Sequence, residues 1–167
     1  MQRNTHILFL DYDGVLHPDA VYLGRQGPTL RAEGELFMWA PILVQLLDDF
    51  PMVSLVLSTS WVRHLGHKRT VRYLPRELQD RVIGATWHSS MGKNCDDESQ
   101  WDEKTRYNQI CRYAARSQLQ RWIAIDDVQG WAESSLRHLV ACNPERGLGS
   151  SQTQDELHSR LWNMCHD

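Results

Sequence analysis

The sequence predicts an α/β fold in which helices cover both faces of a mostly parallel central sheet. Two observations carry that expectation. Short apolar runs recur at Ile7 to Leu10, Val53 to Leu57 and Trp122 to Ile125, and stretches with helical spacing of apolar residues lie between them. Such runs suit strands buried on both faces. A third observation gives the fold a purpose: the runs end at Asp11 and Asp13, at Ser58 and Thr59, and at Asp126 and Asp127. Parallel strands of one sheet point their carboxyl ends the same way, and open α/β sheets place their ligands there.

The first strand, Ile7 to Leu10, runs straight into Asp11-Tyr12-Asp13-Gly14. Two carboxylates so close repel unless a cation sits between them or one keeps a proton. Gly14 lets the chain turn away with backbone angles that a side chain forbids. Residues 17–35 are rich in Gly, Pro and polar groups and read as a loop with a small hairpin around Val21-Tyr22-Leu23. A helix follows from Ala40 to Phe50, with Pro41 in its first turn and Pro51 ending it. Val53 to Leu57 is the second strand and stops at Ser58-Thr59-Ser60-Trp61.

Next come the basic pairs and triplets Arg63-His64 and His67-Lys68-Arg69, a helix ending near Arg72, and a shorter helical piece from Pro75 to Asp80. Arg81 to Thr86 reads as the third strand, residues 88–103 as a polar loop, and Lys104 to Ser117 as a helix burying Ile110, Tyr113 and Ala114. Trp122 to Ile125 is the fourth strand, ending in Asp126-Asp127, and Leu136 to Cys142 the fifth. Thr153 to Cys165 closes the chain as an amphipathic helix with Thr153 and Glu156 in capping-box positions.

A chain of 167 residues with 41% hydrophobic and 23% charged residues is expected to fold as one domain, residues 1–167. A net charge of −3 excludes a global basic field drawing the chain to nucleic acid and leaves room for a local patch. No apolar run approaches the roughly 20 residues of a membrane span. Met1 to Thr5 leads directly into the first strand, which leaves no signal peptide to be read. Cys95, Cys111, Cys142 and Cys165 are widely spaced and read as reduced thiols of a cytoplasmic protein, neither a disulfide framework nor a zinc site. The seven tryptophans read as core.

Asp-x-Asp-Gly-Val-Leu after an apolar strand, then Ser/Thr, then Lys/Arg at a helix start, then Asp-Asp, resembles the ordered motifs of the haloacid dehalogenase superfamily. The resemblance implies a Rossmann-like three-layer sandwich and a Mg²⁺-dependent phosphohydrolase acting on a phosphate monoester. It makes Asp11 the nucleophile that becomes an aspartyl-phosphate, and Asp13 the general acid and base. Ser58 or Thr59 binds the transferring phosphoryl group, and Lys104 or Arg106 neutralises its charge. Asp11, the backbone carbonyl of Asp13, Asp126 and Asp127 would hold Mg²⁺, which lets a carboxylate approach a phosphate dianion. Both alternative pairs stay open. Ser58 follows the strand directly, whereas Thr59 aligns with relatives carrying Thr-Ser; Lys104 has the usual chemistry, and Arg106 has the better spacing to Ile110.

Neither gap between motifs holds a separate cap domain, so the cap is minimal and the site open to a large phosphorylated substrate, such as a nucleic-acid end or a phosphoprotein. This resembles the small capless branch, in particular the HAD domain of Swiss Army Knife RNA repair proteins, with its Ser/Thr-x-Trp second motif and a Gly-Leu here at Gly147-Leu148. Arg63, His64, His67, Lys68, Arg69 and Arg72 read either as a solvated helix face or as a track for a polyanion. A non-catalytic module binding Mg²⁺ or a phosphorylated partner is the alternative reading, and the intact Asp11/Asp13 pair speaks against it. A receiver domain fails on motif order, because receivers place their lysine last.

Overall fold

The computed structural model describes residues 5–88 and 105–167. Its centre is a five-stranded sheet in the order β5-β4-β1-β6-β7. The strands are β1 (His6–Leu10), β4 (Val53–Leu57), β5 (Val82–Ala85), β6 (Arg121–Asp126) and β7 (Leu139–Ala141), and every neighbouring pair is parallel. The chain winds outward from β1 through β4 to β5, then crosses back to build β6 and β7 on the other side. Strand order therefore reverses at β1, and the crevice beyond its carboxyl end is the expected ligand position. Expectation and structure agree on the α/β Rossmann-like class.

Alternation along β1 explains the two covered faces. Leu8 and Leu10 point into one layer, with Leu43 and Leu47 of α1 (Ala40–Leu47) and with Leu157 and Leu161 of the C-terminal helix. Ile7 and Phe9 point into the other, with Ile110 and Ala114 of the helix Arg106–Arg116. All five residues of β1 are buried, as its unbroken apolar run requires. Each fully buried Leu, Ile or Phe contributes about 1.5–3 kcal/mol of transfer free energy.

The remaining helices are α2 (Trp61–Leu65), α3 (His67–Arg72), α4 (Arg76–Gln79), α5 (Arg106–Arg116) and α6 (Ser151–His166). Gly66, at φ +82°, separates α2 from α3. The hairpin foreseen around Val21 is the antiparallel pair β2 (Val21–Gly24) and β3 (Gly27–Leu30). Among the described residues no helix is long and apolar enough to cross a membrane. Cys111, Cys142 and Cys165 are free thiols, while Cys95 lies outside the described residues. Of the tryptophans, Trp61 and Trp131 are buried as expected, but Trp162 is exposed on α6.

Two element expectations need correction. The fifth strand is only Leu139–Ala141, because Glu133–His138 winds into a 3₁₀ helix. That turn is tied down by the Tyr107–Ser135 hydroxyl pair and by His138 stacked on Trp122 at 4.1 Å. The cap of the last helix is Ser150, not Thr153: the Ser150 hydroxyl accepts the Thr153 N–H at 3.5 Å. A 3₁₀ turn at Gly147–Gly149 delivers the chain three residues early, and Thr153 is buried inside the first turn.

Candidate active site

Strand register builds the site. Leu10 lies opposite Leu57 on one side and Ile125 on the other. The next residue of each strand is therefore Asp11, Ser58 or Asp126, and the three emerge in one row at the carboxyl edge. Backbone bonds hold that row, with Ser58 N–H donating to Leu10 O at 2.8 Å and Asp11 N–H to Ile125 O at 3.3 Å. Three of the expected motifs thus meet at the centre of the sheet.

Asp11, Asp126 and Asp127 each offer a ligand atom, and these atoms lie within 4.8 Å of one another. Asp11 and Asp126 are buried. Burial first, and the Asp126 charge second, push the Asp11 carboxyl well above the usual carboxylate range, with Arg106 pulling the other way. Asp127 is pushed up to about 7 by burial, then by Asp126 and Asp19. Asp126 is also raised by burial, while Arg106 and the Val128 N–H, at 2.9 Å from Oδ1, oppose the rise.

These residues fit a hard divalent cation. Every donor is a carboxylate oxygen. Asp126 Oδ2 is buried and accepts no hydrogen bond from the described residues, its cationic neighbour among them being Arg106 Nε at 3.6 Å. The backbone makes room as well: Gly14 has φ +77°, and a Cβ there would fall 2.1 Å from Asp127 Oδ2. Only glycine lets the chain turn beneath that carboxylate.

Arg106, the first residue of α5, reaches into the row. Its guanidinium donates to the Ser58 carbonyl and lies 3.4 Å from Ser58 Oγ. Burial alone would lower its pKa, but Asp11, Asp126, Asp127 and Asp13 together raise it. Lys104 lies outside the described residues. Thr105 Oγ1 caps α5 by accepting the Asn108 N–H at 3.3 Å, which fixes where Arg106 starts. Ser58 and Thr59 part company: Ser58 Oγ turns to Arg106, and Thr59 Oγ1 accepts the Trp61 N–H at 3.3 Å.

Asp13 stands apart from the three clustered carboxylates. Its Oδ1 meets His17 Nε2 at 2.8 Å, and Trp61 Nε1 donates to both of its oxygens at 3.0 and 3.1 Å. One quarter of the Asp13 side chain remains exposed, so its carboxylate is both held and reachable. Sequence reasoning read His17 as loop and Trp61 as part of a motif without a task. The signal for His17 was faint, a histidine four residues after Asp13 across a glycine turn.

The basic cluster splits. Arg63 and His64 line a cavity of about 150 Å³ together with Thr59, Thr86 and Arg106. His67 and Lys68 line a neighbouring one of about 370 Å³ with Trp87, and Arg69 and Arg72 are exposed. Comparison with curated proteins and with solved structures gave no match. The model of the HAD domain in Swiss Army Knife RNA repair proteins matches residues 7–153, from the first strand to the first turn of α6. With that match spanning most of the chain and the motif residues gathered at one sheet edge, the chain belongs to this family of haloacid dehalogenase-type domains.

Proposed function

We propose that this domain is a Mg²⁺-dependent phosphohydrolase that cleaves a phosphate monoester through an aspartyl-phosphate on Asp11. The observation that supports this most is the cluster of buried Asp11 and Asp126 with half-buried Asp127, beside Arg106 and Ser58. Packing like charges in a dry site is costly and serves little purpose without a cation. Mg²⁺ held there, with the Asp13 carbonyl as a further ligand, would neutralise charge so that an anionic nucleophile meets an anionic ester.

The chain's own residues then divide the work. An Asp11 oxygen attacks phosphorus, and the ester P–O bond breaks. The departing oxygen keeps the bonding pair and takes a proton from Asp13. Water next attacks the phosphoryl group, gives a proton to Asp13, and releases phosphate and free Asp11. Arg106 and Ser58 hold the phosphoryl oxygens, Arg106 with a planar fork suited to two of them.

The substrate class we favour is the phosphorylated end of a nucleic acid. Membership in a family of RNA repair proteins supports it, as does the placement of Arg63 and His64 beside Arg106. Between β1 and α1 the chain carries only the β2–β3 hairpin and loop, which is little cover for a small substrate. The test is release of p-nitrophenol from its phosphate with Mg²⁺ or EDTA, beside Asp11→Asn. Release that needs Mg²⁺ and falls by about a thousandfold or more in the variant is expected. Folded protein that releases nothing, and leaves 5′- and 3′-phosphorylated oligonucleotides intact, would favour the binding-module reading.

A further inference from the structure

The most completely determined side chain near the site is one that cannot touch substrate. His17 is fully buried, and both of its ring nitrogens are engaged. The Phe37 N–H points at Nδ1 from 3.2 Å, so Nδ1 must be an acceptor there. The proton then sits on Nε2, which donates to Asp13 Oδ1 at 2.8 Å. The bond at one nitrogen sets the role of the other.

The Phe37 N–H reaches Nδ1 only through an unusual backbone. Phe37 has φ +60°, a left-handed conformation that bulky residues rarely adopt and that surrounding packing must enforce. That packing is present. The Phe37 ring meets His17 edge-on at 4.8 Å, Tyr12 at 5.0 Å and Trp61 at 5.3 Å, and stacks on Tyr73 at 5.8 Å. From the other side, Trp61 Nε1 donates to both Asp13 oxygens, and Trp61 is itself held by Thr59 Oγ1 on its N–H. Strain at Phe37 thus orients His17, and His17 with Trp61 fixes the Asp13 carboxylate.

We propose that His17 is a positioning residue for Asp13: its Nε2–H, backed by the Phe37 amide, holds the carboxylate in the orientation from which it protonates the leaving group. Trp61 is the second support. This rests on the reading of Asp13 as the acid and base above. Fixing a catalytic group in one orientation removes motions that would otherwise have to be frozen at each turnover. His17 itself, with no exposed surface, exchanges no proton with substrate.

The role predicts a dependence on the leaving group. p-Nitrophenolate departs without much help from an acid, whereas phenolate needs it. The constant to compare is kcat/KM, which reports the steps through aspartyl-phosphate formation. His17→Phe keeps a ring in the aromatic cluster and removes both nitrogens. It should lower kcat/KM for phenyl phosphate by about tenfold to hundredfold and for p-nitrophenyl phosphate by no more than about threefold. His17→Gln, whose amide N–H can stand in for Nε2–H, should recover most of the loss, and Trp61→Phe should show the same selectivity more weakly. In an Asp13→Asn background His17→Phe should change nothing further.

An equal loss on both esters, or a loss that persists in Asp13→Asn, would overturn the proposal by showing a merely structural role. So would a His17→Phe variant as fast as the parent on phenyl phosphate. Nitrogen-detected NMR of the imidazole gives a reading without turnover: a protonated Nε2 and bare Nδ1 are expected, and the opposite tautomer would sink the idea. A parent protein that with Mg²⁺ is inactive on both esters and also leaves 5′- and 3′-phosphorylated oligonucleotides intact would instead defeat the phosphohydrolase reading on which the role depends.

Discussion

Asp11 and Asp13 are separated by one residue and live in opposite surroundings. Asp11 belongs to a trio of buried or half-buried carboxylates whose counter-charge among the described residues is Arg106. Asp13 is supplied with two N–H donors from an aromatic cluster and keeps a quarter of its surface open. One region gathers carboxylates that could hold a cation; the other has its hydrogen-bond partners within the fold. Alternation along a strand would put residues two apart on one face; Asp11 and Asp13 part because the chain has already left β1 at Leu10 and turns at Gly14.

The contrast breaks most visibly at Arg106. Removing the one cation that faces the trio in the described structure leaves buried carboxylates uncompensated, so Arg106→Met should lower stability in EDTA by about 3–5 kcal/mol. Urea unfolding with and without Mg²⁺ checks it, and Mg²⁺ should recover part of the loss. A variant as stable as the parent in EDTA would mean that the trio is already protonated or solvated.

A smaller effect sharpens the comparison directly. Asp11→Asn takes a charge out of the crowded trio and should raise the melting temperature in EDTA while shrinking the shift that Mg²⁺ causes. Asp13→Asn takes the acceptor charge away from His17 and Trp61; it should lower the melting temperature and leave the Mg²⁺ shift in place. At roughly 2–4 °C per kcal/mol for a chain of this size, thermal melts resolve opposite signs. Equal responses would erase the distinction between the two regions.

A last contrast is in pH. Asp127 is raised from its ordinary 3.8 to about 7 by burial, Asp126 and Asp19. Between those values the unfolded chain has lost a proton that the folded site retains, so folding binds protons and stability falls as pH rises. Metal-free protein should therefore lose stability from about pH 4 to about pH 7 through this group, and the gain from Mg²⁺ should grow over the same window. A Mg²⁺-induced shift that is flat across that range would contradict the assignment.

The centre of the sheet and most of the candidate site were legible because its three central strands, β4, β1 and β6, are short apolar runs ending in polar or acidic residues. Register did the rest: a one-residue slip would exchange the side chains that pack in the two layers. What escaped the sequence was set by tertiary contact. Thr153-x-x-Glu156 matches a capping box better than Ser150 does, yet the preceding 3₁₀ turn decided for Ser150. Leu136 to His138 carries a strand-like pattern, but Tyr107 and Trp122 hold that segment in a turn. His17 gained its task from Phe37, twenty residues away and in a backbone conformation that propensity would not assign.

The row formed by Asp11, Ser58 and Asp126 ties assembly of the site to correctness of the fold. A slip of β6 by one residue against β1 would move Asp126 out of line and would also carry Ile123 and Ile125 to the opposite face of the sheet. The same error would disable the site and scramble the core. A population of this protein should accordingly contain few molecules that are well packed yet carry a disassembled row through mispairing, and under the proposed function specific activity would count correctly registered chains.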